Sequence, residues 1–132
     1  PPEINLSNEK NNGLAVLNLI NERLTSSVHD VSTGGLLLAL AEMTFDSNYG
    51  LKIDKPKNLS NLMEYYFSED QGRYLIEVDP NNLNKINKIL VENNIYSEVV
   101  ATVQNDYFEV SGELKILKNE LCKINKKWYS NY

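Results

Sequence analysis

The segment from Ser27 to Leu36, SVHDVSTGGL, combines residue types that suit the binding of a phosphate group. A short strand is predicted to end there, a polar turn with two glycines follows, and an apolar helix begins. The first backbone N–H groups of a helix lack intrahelical partners, and the helix dipole places partial positive charge beside them. Gly34 and Gly35 would let a phosphate approach the backbone closely, and Ser32 could donate its hydroxyl to a phosphate oxygen. The pattern therefore predicts a nucleotide- or phosphate-binding turn at Ser32, Gly34 and Gly35.

The two polar residues before this turn differ in what they could do. Asp30 offers a hard carboxylate oxygen of the kind that magnesium prefers, and magnesium commonly accompanies nucleotide phosphates. Asp30 is therefore the candidate metal ligand. His29 is the only histidine of the chain, so it has no second histidine for a metal pair, and we interpret it as a structural hydrogen-bonding residue.

A plainer interpretation of the same turn stays open. Ser32 could be only the cap of the following helix, and the two glycines could be only a tight turn. The spacing of the glycines matches neither the P-loop nor the dinucleotide-binding fingerprint.

A second polar segment, FSEDQGRY, lies between an apolar stretch and a predicted strand. Glu69, Gln71 and Arg73 could hold a polar ligand through a carboxylate, an amide and a guanidinium group. The alternative is a solvated loop with a weak ion pair between Glu69 and Arg73.

Periodicity predicts the elements that must position these segments. Alternating helices and strands indicate an α/β fold (α+β-like), a mixed sheet covered by helices. We expect residues 1–10 to form a linker and residues 11–132 to form a single C-terminal α/β domain. The predicted helices cover 11–25, 36–45, 59–67, a segment carrying Leu83, Ile86, Ile89 and Leu90, and a last segment carrying Leu117, Leu121, Ile124 and Trp128; the strands cover 26–31, 50–53, 73–78, 97–103, 107–110 and 114–116.

Composition excludes several classes of function. The chain has 132 residues, 42% of them hydrophobic, and a formal net charge of −5. This acidic balance argues against a nucleic-acid partner. No stretch approaches the length of a membrane span, so no membrane partner is expected. The single cysteine, Cys122, is interpreted as a packing residue, and a cytoplasmic location fits best.

Two of these segments together resemble a known family. HDVSTGGLLLALAEM resembles the pattern HDxS(D/E)GGLxxALAE, and FSEDQGRYLIEV resembles the pattern (F/L)xE(S/T)Q(S/G)R(F/Y) that follows it at a similar distance. Both patterns occur in the C-terminal domain of formylglycinamidine ribonucleotide synthase, also called phosphoribosylformylglycinamidine synthase, within the aminoimidazole ribonucleotide synthase-related group. The start PPEINL and the end KINKKWYSNY extend the resemblance over nearly the whole chain.

This resemblance implies an ATP-dependent C–N ligase of purine biosynthesis. The family converts formylglycinamide ribonucleotide, ATP and glutamine-derived ammonia into formylglycinamidine ribonucleotide, ADP and phosphate, with ATP and Mg²⁺ as cofactors. It implies that Asp30 binds magnesium and that Ser32 contacts nucleotide. Glu69, Asp70 and Gln71 match a segment that contacts substrate in the other half of the family's enzyme. The catalytic histidine of the family lies in other domains, so no catalytic residue is expected here.

The same resemblance implies partners for the chain. These are upstream nucleotide-binding domains of the same chain, a separate glutaminase subunit and a small accessory subunit. We expect the chain alone to be inactive, to expose an apolar patch around helix 36–45, and to self-associate through that patch.

The sequence also departs from the family pattern at two positions. Thr33 stands where the family usually has an acid, and Asp70 stands where it has Ser or Thr. Asp70 adds negative charge beside Glu69, which would repel a phosphate, so the second segment could shape the loop more than it binds a ligand. The alternatives are a domain of selenophosphate synthetase, thiamine monophosphate kinase or a hydrogenase maturation factor, or an interaction module without catalysis.

Overall fold

A computed structural model describes residues 4–56 and 61–129 of the chain, without the side chains of residues 128 and 129. Helices and strands alternate in the predicted order, and a mixed sheet is present, which confirms the predicted fold class. The helices are α1 (Leu6–Asn21), α2 (Gly35–Phe45), α3 (Leu62–Phe67), α4 (Leu83–Glu92) and α5 (Lys118–Tyr129); the strands are β1 (Ser27–Asp30), β2 (Tyr49–Ile53), β3 (Tyr74–Glu77), β4 (Ala101–Asn105), β5 (Tyr107–Val110) and β6 (Leu114–Leu117).

Two compact units divide the chain. The first unit comprises Pro1–Ala39 and Tyr66–Glu98, and the second comprises Leu40–Tyr65 and Val99–Tyr132. The first unit therefore contains both polar segments that the sequence singles out, together with α1, α4 and the strands β1 and β3.

Helix α1 begins earlier than the sequence predicts. Residues 6–10 are helical, so the prediction that residues 1–10 form a linker is wrong for this part, and residues 1–3 lie outside the described residues. The reason is a cap: the side chain of Asn5 accepts a hydrogen bond from the backbone N–H of Asn8 at 3.0 Å. Asn5 thereby satisfies one of the donors that a helix start leaves unpaired. The helix ends at Asn21 because Arg23, with φ of +56°, leaves the helical conformation.

The core of the first unit forms between α1 and α4. Ala15, Leu19 and Leu24 are buried together with Ile86 and Leu90. The partly buried residues that pack against them are Ile76, Val78, Ile89 and Ile95. The predicted amphipathic pattern of α4 is confirmed, since its buried residues stand four apart on one face. A short 3₁₀ helix, Pro80–Asn82, precedes α4.

The second unit contains a four-stranded sheet in the order β4-β2-β5-β6. The pair β2–β5 is parallel, and the other two pairs are antiparallel. Side chains alternate along the strands, so Ile53, Phe108 and Val110 are buried on one face of the sheet. Lys52 and Glu109 are register partners of β2 and β5 and lie on the opposite face. The predicted hairpin of β5 and β6 is confirmed, with Gly112 at φ of +77° in its turn.

The starts of β4 and α3 differ from the predicted ones for reasons that the structure shows. Strand β4 begins at Ala101, because Ala101 pairs with Ile53, the last residue of β2, so the earlier residues of the predicted strand have no partner there. Helix α3 begins at Leu62, and Asn61 caps it by accepting from the N–H of Glu64 at 3.2 Å. Residues 59 and 60 of that predicted helix, and the Trp128 side chain of the last predicted helix, lie outside the described part.

Helix α2 is largely buried by the chain itself. Leu36, Ala39, Leu40, Ala41 and Thr44 are all buried. The predicted apolar patch around this helix is therefore wrong for most of its length. Leu38 of α2 is 37% exposed, and a group of exposed apolar side chains lies on α1, at Leu6, Leu14, Leu17 and Ile20.

Among the described residues, no helix combines the length and the apolar content that a bilayer crossing needs.

Candidate functional site

The candidate site is the connection between β1 and α2, from Asp30 to Gly35. Two consecutive glycines close it with positive φ angles, +82° at Gly34 and +69° at Gly35. A Cβ on Gly34 would lie 2.5 Å from the Cδ2 atom of Leu38. A Cβ on Gly35 would lie 2.7 Å from the backbone carbonyl carbon of Phe67. Glycine is favoured at both positions for two reasons. Each has a left-handed backbone conformation, and at each a Cβ would come too close to neighbouring atoms.

The backbone N–H groups of these glycines have acceptors within the protein. The N–H of Gly34 donates to Oε1 of Glu69 at 2.8 Å, and the N–H of Gly35 donates to the backbone oxygen of Ser32 at 3.0 Å. The Glu69 carboxylate thus lies at the start of α2, where a phosphate was predicted. A negative group is favoured at this place because the helix dipole is positive there.

The side chain of Ser32 is exposed and takes no part in these contacts. Helix α2 starts at Gly35, so the cap position falls on Gly34 and not on Ser32. Within residues 4–56 and 61–129, the Ser32 hydroxyl makes no hydrogen bond. The interpretation of Ser32 as a simple helix cap is therefore wrong, and its hydroxyl is available to a ligand.

Asp30 ends β1 with its side chain 68% exposed. The nearest charged or ionisable neighbour that the structure gives it is His29, whose Nδ1 is 4.0 Å from Oδ1 of Asp30. The same Nδ1 lies 2.6 Å from the backbone oxygen of Asp30, which fits the structural role predicted for His29. In the described part of the chain, no three His, Cys, Asp or Glu residues come together as a metal site. Asp30 fits magnesium only as one carboxylate ligand of an ion held mainly by phosphates or other groups.

The second polar segment forms a loop that Arg73 holds together. Nη2 of Arg73 donates to the backbone oxygen of Ser68 and to its Oγ, the latter at 3.2 Å. The Ser68 hydroxyl in turn donates to Oδ2 of Asp70 at 2.7 Å, and Arg73 forms an ion pair with the same oxygen at 3.7 Å. The predicted ion pair of Glu69 with Arg73 is replaced by this arrangement, since Asp70 faces the arginine while Glu69 faces the glycine turn.

The remaining residues of this loop differ in their surroundings. Gln71 is exposed, and within the described residues its side chain makes no hydrogen bond. Gly72 follows with φ of +71°, and its carbonyl accepts from Nδ2 of Asn12 at 3.0 Å. Sequence reasoning missed Ser68 and Asn12, because single Ser and Asn residues carry no pattern that marks them as loop supports.

Strand pairing explains why the two segments meet. Strand β1 pairs antiparallel with β3, with Asp30 opposite Tyr74. One residue further on, the N–H of Val31 donates to the backbone oxygen of Arg73 at 2.9 Å. The glycine turn and the Glu69 loop therefore leave the same end of one two-stranded sheet. Asp30, Ser32, Glu69 and Gln71 are all exposed at this site, and Glu69 and Arg73 are the two that hydrogen-bond to neighbouring segments of the chain.

Comparison with known families shows which family the chain belongs to. The sequence model of the family described as AIR synthase related protein, C-terminal domain, matches residues 2–112. The phosphoribosylformylglycinamidine synthase subunit PurL of Pelagibacter ubique is 42% identical over 132 residues, which is the whole of this chain and 18% of that protein. The protein of the same name from Bartonella bacilliformis is 36% identical over the same length. The chain thus spans about a fifth of the length of these relatives.

Solved structures agree on the fold. The structure of PurLQS from Thermotoga maritima matches with a TM-score of 0.75 and 23% identity, over 86% of this chain and 21% of that one. The structure of T. maritima PurL complexed with ATP matches with a TM-score of 0.74 and 22% identity over the same shares. At this level of identity the likeness establishes the fold.

Proposed function

We propose that this chain, which belongs to the AIR synthase related protein C-terminal domain family, is the C-terminal domain of a phosphoribosylformylglycinamidine synthase. The observation that supports this function is the identity of 42% and 36% to two proteins of that name, each over the full chain. The second support is the pair of segments that the resemblance rests on, which lie in contact through Gly34 and Glu69.

The proposed reaction joins nitrogen to an amide carbon at the expense of ATP. The amide oxygen of formylglycinamide ribonucleotide takes the γ-phosphoryl group of ATP, which releases ADP. Ammonia then attacks the activated carbon, and phosphate leaves with the former amide oxygen. The products are formylglycinamidine ribonucleotide, ADP and phosphate, and the ammonia comes from glutamine.

Within this reaction we assign the exposed face of the glycine turn to ligand contact. Ser32 would donate its hydroxyl to a phosphate oxygen, and Asp30 would supply one carboxylate ligand to Mg²⁺. Magnesium, when bound, neutralises phosphate charge and orients the phosphoryl group. Gly34 and Gly35 shape the turn, while a phosphate that used the N–H of Gly34 would have to displace Glu69.

The proposal includes partners that the chain alone does not provide. These are nucleotide-binding domains in the rest of the same protein, a separate glutaminase subunit and a small accessory subunit. Because no three His, Cys, Asp or Glu residues of the described part come together as a metal site, we propose that the 132-residue chain has no ligase activity by itself. We also propose that the protein acts in the cytoplasm. Self-association of the isolated chain would use the exposed apolar side chains of α1.

The deciding experiment measures the full-length enzyme with Asp30→Asn and with Ser32→Ala. Formation of formylglycinamidine ribonucleotide from substrate, ATP and ammonia is followed together with thermal stability. The matched control is Asp46→Asn, an exposed carboxylate of the other unit. We expect the two site variants to lose at least about tenfold in kcat/KM while the melting temperature stays within about 2 °C of the parent.

Other outcomes would assign the turn differently. Normal turnover with a large fall in stability would place an auxiliary, structural nucleotide at the turn. Unchanged turnover and unchanged stability would contradict the site assignment. Absence of any ligation by the unsubstituted full-length enzyme, with all substrates supplied, would overturn the proposed function itself.

A further inference from the structure

We infer that Glu69 and Arg73 are positioning residues, which hold the glycine turn so that Asp30 and Ser32 face the ligand. This assignment rests on the proposed function and changes the role of the second segment. The sequence pattern predicted that Glu69, Gln71 and Arg73 hold a polar ligand. In the structure Glu69 and Arg73 hydrogen-bond to neighbouring segments of the chain, whereas the Gln71 side chain makes no hydrogen bond within the described residues.

Glu69 supports the glycine turn through a hydrogen bond. Its Oε1 accepts from the N–H of Gly34 at 2.8 Å, across 35 positions of sequence. A hydrogen bond from a backbone N–H to a carboxylate is charge-assisted and stronger than one between neutral groups. Gly34 has φ of +82°, and the hydrogen bond to the carboxylate holds its peptide group in place at the start of α2.

Arg73 supports the same turn through its guanidinium group and its backbone oxygen. Its guanidinium group binds the backbone oxygen and the hydroxyl of Ser68, the residue directly before Glu69. Its own backbone oxygen accepts from the N–H of Val31, the residue directly after Asp30. Arg73 therefore connects Val31, at the start of the glycine turn, to Ser68, directly before Glu69. Its backbone oxygen makes the first contact and its guanidinium group makes the second.

The charge at Asp70 agrees with an internal role. Asp70 accepts from the Ser68 hydroxyl at 2.7 Å and pairs with Arg73, so its charge is compensated inside the loop. A loop with two adjacent carboxylates is a poor receptor for a phosphate. The same loop is a good support, because one carboxylate faces the turn and the other faces the arginine.

The test compares two variants of Glu69 in the full-length enzyme. Glu69→Gln keeps an oxygen that can accept from Gly34, whereas Glu69→Ala removes the acceptor. We expect kcat/KM to fall less than about threefold in Glu69→Gln and about 10- to 100-fold in Glu69→Ala, since a small displacement of a contact residue can cost about 100-fold. The matched control is Glu92→Ala, an exposed carboxylate that pairs with Lys88 one helical turn away.

A double variant distinguishes positioning from direct contact. If Glu69 acts through the turn, Ser32→Ala combined with Glu69→Ala loses less than the product of the two single losses, because both remove the same interaction. If Glu69 touches the ligand independently, the losses multiply and Glu69→Gln is as damaging as Glu69→Ala. Either of those two results would overturn the inference.

Hydrogen–deuterium exchange supplies a readout that does not depend on the reaction. Peptides covering residues 31–36 are followed by mass spectrometry in the full-length protein. We expect faster exchange of one amide in Glu69→Ala and in Arg73→Met, and parent-like exchange in Glu69→Gln and in Glu92→Ala. An unchanged exchange rate in Glu69→Ala would refute the positioning role even if the ligase assignment held. Conversely, the expected exchange rates in a protein without ligase activity would support the positioning contact and overturn the proposed function.

Discussion

The Cα atom of Gly35 lies against the backbone of Phe67, so close that a Cβ at position 35 would be 2.7 Å from the carbonyl carbon. A backbone atom cannot rotate away as the end of a side chain can. We therefore expect Gly35→Ala to destabilise the protein by at least about 2 kcal/mol, from overpacking together with the strained positive φ. Urea unfolding followed by circular dichroism measures this change.

Gly112→Ala is the control for that substitution. Gly112 has a similar φ of +77°, but a Cβ there meets nothing within 4 Å. Only the conformational cost of about 1–2 kcal/mol is expected. Equal losses in the two variants would show that the contact with Phe67 is unimportant.

Asn5 is expected to stabilise α1 through its side chain, which accepts from the N–H of Asn8. Replacement of such a cap by alanine typically costs about 1 kcal/mol, so Asn5→Ala should lower the free energy of unfolding by about that amount. Asn82 holds the same position before α4 without a side-chain hydrogen bond. Asn82→Ala should therefore change stability much less, and a comparable loss would contradict the capping role of Asn5.

Leu19 is completely buried in the first unit, next to Ile86 of α4. Leu19→Ala removes buried methyl groups and leaves a cavity, which should cost about 2–5 kcal/mol in chemical denaturation. Val91 is 71% exposed on the other side of α4, and Val91→Ala should stay within about 0.5 kcal/mol of the parent. A small effect at Leu19 would mean that α1 does not contribute to the core as described.

Protonation of Glu109 in acid is expected to destabilise the sheet of the second unit. A hydrogen bond from Lys115, at 3.0 Å, lowers the pKa of Glu109 below its ordinary value of 4.5, while burial acts in the opposite direction. A lowered pKa in the folded state stabilises the protein above pH 4.5, and this contribution is lost as the pH falls through the folded-state pKa. Lys115→Met should raise the pKa of Glu109, as measured by carboxyl-carbon NMR titration.

Lys52→Met is the matched comparison for that titration. Lys52 lies opposite Glu109 in the sheet, and its charge lowers the pKa of Glu109 less than the hydrogen bond of Lys115 does. Its removal should raise the pKa by less than the removal of Lys115. The reverse order would show that charge alone, and not the hydrogen bond, controls this carboxyl group.

Local patterns in the sequence were enough for the order of the elements. The four-residue spacing of Ile86 and Leu90 predicted a helix with one buried face, and the structure buries both residues. The glycine pair after a short strand predicted a strand–turn–helix connection, and Gly34 and Gly35 both have positive φ there. These features depend on neighbours within a few positions, which a sequence displays directly.

The start of α1 and the start of β4 depended on more than local propensity. Asn5 disfavours a helix interior but is favoured at a helix cap, so its type alone did not tell which position it would take. The valines before Ala101 favour a strand, yet β2 ends at Ile53 and offers them no pairing partner. A strand needs a partner from elsewhere in the chain, which the sequence of the strand does not contain.

The sequence by itself determined which residues could form a site, namely the glycine turn with Asp30 and Ser32 and the loop with Glu69 and Arg73. Only the tertiary structure decided which of these groups contact one another. Pairing of β1 with β3 brings the two segments to one end of a sheet, where Glu69 meets the N–H of Gly34. The physical reason is that a helix start must find acceptors for its unpaired N–H groups, and the acceptor here comes from 35 positions away.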